Sequence, residues 1–161
     1  MKRSRMQMLA AVLAIGGVLS LSEAALSKDA RGTIHASNPE GIASILRGFG
    51  SALVGTDSYG DPKIDGRSAG EEYTVLFYGC TDNIDCRSIA FWTYWTVEVD
   101  LDRVNEWNKR ERYGKLYVDN DGDLALEMDV NLSHGMDTRT FDEIANIWAG
   151  MLDDVKSNVV D

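Results

Sequence analysis

The sequence predicts an α+β domain with a single antiparallel sheet, in the order helix, three or four strands, helix, two strands, helix. Three observations support this prediction. Apolar residues recur at helical spacing in three separate stretches. Short apolar or alternating stretches of strand length lie between them. Turn-forming residues separate these strands closely enough for hairpins, which need no crossover connection.

The first 24 residues have the pattern of a signal peptide. Lys2, Arg3 and Arg5 form a basic start, and the apolar run over residues 8–21 is too short to span a bilayer as a stable helix. Small residues lead up to Ala24, after which we expect cleavage. The sequence therefore predicts a periplasmic or secreted protein with no stable membrane insertion after cleavage. An uncleaved membrane anchor is the alternative.

The chain is acidic, with a formal net charge of −10. Removal of residues 1–24 makes the remainder more acidic, because that segment carries three basic residues and one acidic residue. This charge argues against nucleic acid and anionic membranes as partners, since both require clustered Lys and Arg. Residues 25–37 show no periodicity and are expected to form a flexible lead-in to one domain over residues 38–158.

The first helix is predicted to begin at Asn38, whose side chain can cap it, with Pro39 in its first position. Gly48 and Gly50 are expected to end it. Its apolar stripe comprises Ile42, Ile45, Leu46 and Phe49.

Four strand candidates follow, over residues 52–56, 63–67, 72–79 and 89–95. The last two form a hairpin with no polar face, although a sheet with one wet side should alternate apolar and polar residues. One face can be covered by the helices. The other must be covered by a helix, a second subunit or a client, and the alternative to a partner is a sheet enclosed within one chain. This second face carries Leu76, Tyr78, Trp92 and Tyr94.

The second half of the domain is predicted as helix, hairpin and helix. Asp100 or Asp102 can cap the second helix, which Gly114 ends. The hairpin comprises residues 115–119 and 124–130, and the last helix begins at a capping box of Thr140 and Glu143. The inner residues expected are Leu101, Val104 and Trp107 in the second helix, and Phe141, Ile144, Ala145, Trp148, Leu152 and Val155 in the third.

Cys80 and Cys86 flank a polar five-residue turn. In an exported chain this spacing favours a disulfide across the hairpin, and it does not fit a CxxC pair or a zinc knuckle. A loop this short constrains the unfolded chain by only about 2 kcal/mol. The bond is therefore expected to fix the register of the hairpin, with a redox switch or a metal site as alternatives.

No group of residues forms a recognisable catalytic constellation. Residues 119–123, DNDGD, resemble the start of an EF-hand loop, but Leu124 replaces its glycine and Val130 its glutamate, so a hairpin turn is the simpler interpretation. Neither His35 nor His134 has a nucleophile at motif spacing. We therefore predict no catalytic residue, no metal site and no cofactor.

Several segments occur together in order: GDPKIDGR at 60–67, YTVLFYGCTDNIDC at 73–86, VNEWN at 104–108, DNDGD at 119–123, LEMDV at 126–130, and then Phe141 and Trp148. Together they resemble the YbjN-domain family of small bacterial proteins over residues 38–158. The FYGC and VNEWN segments are the most specific. The resemblance implies a fold similar to the type III secretion chaperones, which commonly dimerise and hold clients. It implies no established enzymatic activity.

The export signal and the cysteine pair depart from the cytoplasmic members of this family. We therefore expect an exported, non-enzymatic binding or chaperone-like domain that contacts a protein client or a second copy of itself. The expected contact residues are Leu76, Tyr78, Trp92 and Tyr94. A small acidic metal-dependent hydrolase and a redox-sensing envelope protein are the alternatives.

Overall fold

A computed structural model of the chain describes residues 32–160. The predicted signal peptide and residues 25–31 of the predicted lead-in lie outside the described residues. In chain order the elements are β1 (Thr33–Ile34), α1 (Pro39–Leu46), β2 (Gly50–Thr56), β3 (Pro62–Ser68), β4 (Glu71–Tyr78), β5 (Ser88–Trp95), α2 (Leu101–Arg110), β6 (Lys115–Val118), β7 (Leu124–Asn131), β8 (Met136–Asp137), α3 (Thr138–Val155) and a π-helical turn (Lys156–Val160).

Six strands form one antiparallel sheet in the order β2-β3-β4-β5-β7-β6. Strands β2 to β5 are a meander of adjacent hairpins, and β7 lies between β5 and its own hairpin partner β6. The α+β fold predicted from the sequence is confirmed. The structure adds a second, two-stranded sheet of β1 and β8, so residues 33–34 of the expected lead-in have regular structure.

Helices α1 and α3 cover one face of the large sheet, and the core lies between them and the sheet. Phe91 of β5 packs against Phe141 and Trp148 of α3, with ring centroids 6.4 and 5.3 Å apart. Tyr73 of β4 lies 6.0 Å from the same Trp148 ring. We call this the covered face. Its layer of aromatic rings fixes the sheet beneath α3 through apolar burial.

The first helix begins as predicted. The Asn38 side chain accepts a hydrogen bond from the Gly41 N–H at 3.0 Å, and Pro39 occupies the first turn. The apolar stripe of this helix differs from the prediction at its C-terminal end. The helix ends at Leu46, and Phe49 lies beyond it, partly buried against the core.

Three details of the other helices were predicted wrongly. Leu101 is 61 % exposed and does not face the core, because it is the first residue after the Asp100 cap. The second helix ends at Arg110, before Gly114. The third begins two residues before Thr140, because Asp137 accepts a hydrogen bond from the Arg139 N–H at 3.0 Å. Thr140 and Glu143 therefore lie inside α3 and form no capping box.

Helix α2 closes one edge of the sheet, and two residues of the VNEWN segment hold it there. The Trp107 indole donates to the Asp154 carboxylate of α3 at 2.7 Å. The Asn108 side chain accepts from the Leu116 N–H at 2.9 Å and donates to the Leu116 carbonyl at 2.7 Å. Asn108 thus bonds to β6 as a neighbouring strand would, and it occupies backbone groups of an edge strand.

Candidate functional site: the open face of the sheet

The face of the large sheet opposite α1 and α3 is accessible. Tyr78 and Tyr94 on this face are 48 % and 50 % exposed, and Leu76 and Trp92 are half-buried. The alternating residues of the same strands, such as Phe77 and Phe91, are buried on the covered face. We call the accessible side the open face. The predicted two-sided apolar hairpin therefore has helices on one side only within residues 32–160.

The aromatic residues of the open face form a diagonal strip across the sheet. The Trp92 and Tyr94 rings are in contact, with centroids 5.1 Å apart and planes inclined by 32°. Leu76 lies opposite Ala90, two residues before Trp92 on the same face. Tyr78, two residues after Leu76 on the same face, is the last residue of β4. We call Leu76, Tyr78, Trp92, Tyr94 and Tyr117 the aromatic strip.

Tyr117 was missed by the sequence analysis. Tyr94 and Tyr117 both lie opposite Ala125, on either side of β7, so the register places them on one face. The Tyr117 hydroxyl donates to the Glu127 carboxylate at 3.1 Å. The alternation of residues 115–118 indicates a strand. The face of the sheet on which Tyr117 lies, however, depends on the pairing of β7 with β5, which the sequence does not show.

Glu127 and Lys115 fix the position of Tyr117. The Lys115 ammonium lies 3.0 Å from the Glu127 carboxylate and 5.5 Å from the centre of the Tyr117 ring. The hydrogen bond to Glu127 raises the pKa of Lys115. Partial burial raises the pKa of Tyr117, and the hydrogen bond to Glu127 adds to the rise, whereas a hydrogen bond to Trp92 opposes it. The edge of the strip is therefore held in one arrangement by ionic and hydrogen-bonded contacts.

Ion pairs also line the opposite side of the strip. The Lys63 ammonium and the Asp65 carboxylate on β3 are 2.9 Å apart, and the Thr74 hydroxyl donates to the Asp65 carboxylate at 3.2 Å. Arg67 and Glu72 form a further pair. An apolar centre with a polar rim is the usual anatomy of a protein–protein interface.

The electrostatic surroundings of Tyr78 are negative. Partial burial raises the pKa of its hydroxyl, and the carboxylates of Glu127 and Asp129 raise it further. Lys115, which opposes this effect, is already paired with Glu127. This end of the open face therefore favours groups without negative charge.

An open groove of about 930 Å³ extends from Trp92 and Tyr94 around the end of the sheet. Tyr73 and Trp95 line its inner part, and the Trp95 indole donates to the Glu71 carboxylate at 2.8 Å. The groove lies within the size range of ligand sites, and it is continuous with the aromatic strip.

The cysteine loop lies beyond Tyr78, at the tip of the β4–β5 hairpin. The sulfur atoms of Cys80 and Cys86 are at bonding distance, 2.12 Å, which is compatible with the predicted disulfide. Asp82 and Asn83 within the loop have left-handed backbone conformations, with φ of 53° and 61°. The Asn83 amide donates to the Tyr59 carbonyl at 2.8 Å. This hydrogen bond therefore connects the tip of the β4–β5 hairpin to the tip of the neighbouring β2–β3 hairpin.

The segment DNDGD is a hairpin turn in the structure. Asp119 accepts hydrogen bonds from the N–H groups of Asp121 and Asp123, both at 2.9 Å. Asp57 forms the same pattern with Tyr59 and Asp61 in the β2–β3 turn. The Asp119 carboxylate is thus occupied in turn formation. Within residues 32–160 no group of three or more His, Cys, Asp and Glu side chains could hold a metal ion. In the same part of the chain no helix is long and apolar enough to cross a membrane.

Fold and site define a small α+β domain whose sheet is covered by helices on one face and carries exposed aromatic residues on the other. The YbjN family model, described as "Putative bacterial sensory transduction regulator", matches residues 38–159. The chain therefore belongs to the YbjN family, and the resemblance inferred from the FYGC and VNEWN segments is confirmed. Searches of curated proteins and of solved structures find no match.

Proposed function

We propose that the chain is an exported, non-enzymatic binding domain that holds a protein partner on its open face. The observation that carries this proposal is the asymmetry of the sheet. Helices bury one apolar face, and the other presents Tyr78, Tyr94 and part of the half-buried Trp92 to solvent. Exposed apolar patches rimmed by polar residues mark interaction sites in soluble proteins. Trp and Tyr are also the residues that contribute most binding energy in such sites.

The rigidity of the aromatic strip favours specific binding over nonspecific association. Trp92 and Tyr94 stand on β5 in the middle of the sheet, and Glu127 of the neighbouring strand anchors Tyr117 at its edge. A surface already held in its bound form loses little side-chain entropy on association. The family description, which names regulation rather than catalysis, is consistent with a role in binding. Export is supported by the pattern of residues 1–24.

The open face can be tested by site-specific photocrosslinking in the cell. A photoreactive phenylalanine analogue at Tyr94 should capture a partner, whereas the same analogue at Tyr113, which is 61 % exposed and lies outside the aromatic strip, should not. The captured partner is then purified, and its affinity is measured by calorimetry with the wild type, Trp92→Asp and Tyr113→Asp. We expect at least about tenfold weaker binding for Trp92→Asp alone. Equal affinity of all three proteins would refute the proposal.

Export has its own test. The chain expressed from its first codon should be recovered from the periplasm or the medium, with Ala25 as its first residue by N-terminal sequencing. Recovery of chains beginning at Met1 from the cytoplasm would exclude it. The metal-dependent hydrolase is tested by calorimetric titration with calcium and zinc, for which we expect neither heat nor a change in melting temperature.

A further inference from the structure

The two edges of the large sheet differ in how they are protected. Strand β6 at one edge is short, and the Asn108 side chain occupies both backbone groups of Leu116. Strand β2 at the other edge is seven residues long and has no strand on its outer side within residues 32–160. Its outer side receives one side-chain hydrogen bond, from Arg47 to the Ala52 carbonyl at 3.0 Å.

Apart from this contact with Arg47, strand β2 lacks the features by which proteins protect an edge. Its sequence, GSALVGT, contains no charged residue and no proline. Leu53 is 70 % exposed on the open face, and Val54 is 41 % exposed on the other. Natural edge strands are usually short, charged, bulged or covered, because an uncovered edge accepts another strand.

The direction of the backbone groups of β2 follows from its pairing with β3. Backbone bonding alternates along an antiparallel pair, and Asp57 donates to the Asp61 carbonyl at 2.9 Å. Counting back from this pair, the backbone groups of alternate residues bond to β3. The backbone groups of the residues between them point outward, away from β3. The Ala52 carbonyl, which Arg47 reaches, is on the outward side as expected. The outward residues are Gly50, Ala52, Val54 and Thr56.

These outward residues lie symmetrically about Leu53, the central residue of β2. If a second copy of β2 runs antiparallel with Leu53 opposite Leu53, Ala52 faces Val54 of the copy and Gly50 faces Thr56. Every outward N–H then meets a carbonyl, because outward residues face outward residues. The Ala52 carbonyl can keep its bond to Arg47, since a carbonyl oxygen has two lone pairs.

We propose that two copies of this chain associate through β2 about a two-fold axis at Leu53, forming one continuous sheet. The occupant is a second copy because exposed Leu53 lies at the centre of β2, so that one symmetric register both buries it against its mate and satisfies all outward groups of both strands with no insertion or overhang. The absence of charge on β2 also keeps the pairing free of repulsion although each chain is acidic. Leu53, the most exposed large aliphatic residue of the described structure, is then buried against its symmetry mate. Both open faces lie on the same side of the joined sheet.

The test is sedimentation velocity on the protein that cells produce from the full-length chain. The wild type should show a concentration-dependent monomer–dimer equilibrium. Leu53→Lys and Leu53→Asp should each weaken it by at least roughly tenfold, because like charges meet at the axis. An equimolar mixture of the two variants should restore dimers, which only a self-paired residue predicts. Ile84→Lys, at a site 68 % exposed in the cysteine loop, is the matched control and should leave the dimer unchanged.

A cross-link checks the register. The Leu53→Cys variant should form an intermolecular disulfide on mild oxidation, since opposed residues that do not exchange backbone bonds lie within disulfide reach. Ile84→Cys should not. A wild type that stays monomeric at all concentrations would overturn the proposal. So would dimers that persist in both Leu53 charge variants but dissociate in Trp92→Asp, because association would then use the open face. Loss of partner binding in Trp92→Asp with an intact dimer would leave the two proposals separately supported.

Discussion

The bond between Asn108 and β6 gives the most direct test of how the sheet is closed. Asn108→Ala removes two hydrogen bonds to the backbone of Leu116, a residue that is 2 % exposed. At about 1 kcal/mol net for each bond, the loss is about 2 kcal/mol. Alanine is the better helix former by about 0.5 kcal/mol, which offsets part of it. We therefore expect the free energy of unfolding to fall by about 1.5 kcal/mol.

The measurement is urea denaturation followed by circular dichroism, with Asn105→Ala as the control. Asn105 is an exposed residue of the same helix, so its replacement reports the helix-propensity gain alone. Asn108→Asp keeps an acceptor for the Leu116 N–H but turns a carboxylate oxygen toward the Leu116 carbonyl, so it should also be less stable than the wild type. Equal stability of Asn108→Ala and Asn105→Ala would show that the two bonds contribute nothing net and would refute the argument for a protected edge.

Three further predictions concern the core and the cysteine loop. Burial raises the pKa of Tyr73 to about 12, so the stability that its neutral form supplies is complete below pH 10 and is lost between about pH 10 and 12. Tyr73→Phe should remove that part of the pH dependence of urea midpoints; an unchanged profile contradicts it. Asn83→Ala should cost about 1 kcal/mol by loss of the bond to Tyr59, and roughly 1 kcal/mol more because alanine suits the left-handed backbone at this position less well than asparagine; Ile84→Ala should be nearly neutral in the same denaturation assay. Replacing Cys80 and Cys86 together by serine should lower the free energy of unfolding by about 2 kcal/mol; abolished folding would contradict a register-fixing role.

The fold class could be predicted because each main element has a local signal. The cap at Asn38 and Pro39 fixes the start of α1, and the D-x-x-G-D turns at 57–61 and 119–123 fix two hairpins. The two-residue strands β1 and β8 could not be predicted, since they pair residues about a hundred positions apart and have no pattern of their own. The wrong start of α3 has a similar cause. Asp137 and Thr140 are both suitable caps, and the pairing of β8 at Met136 favours the earlier one.

The candidate site could be predicted only in part. The alternation of Trp92 and Tyr94 with buried residues placed them on one face, because strand periodicity is a local property. Which face the helices cover depends on tertiary packing. The roles of Tyr117 and Asn108 depend on contacts with Glu127 and Leu116, and therefore on strand order. No pattern in the sequence indicates which polar residue on a helix surface will bind to the edge of a sheet.

The position of β7 between β5 and β6 has a consequence for biosynthesis. Strands β2 to β5 can pair in succession as the chain emerges, but the outer side of β5 has no partner until Asn131 has left the ribosome. At translation rates of about 5–20 residues per second, this interval lasts several seconds. During that time the backbone beside Phe91 and Trp92 is uncovered in a nascent chain. The growing polypeptide is thus most prone to aggregate while the segment up to Asn131 is being made, and holding factors that bind it then should raise the yield of folded protein.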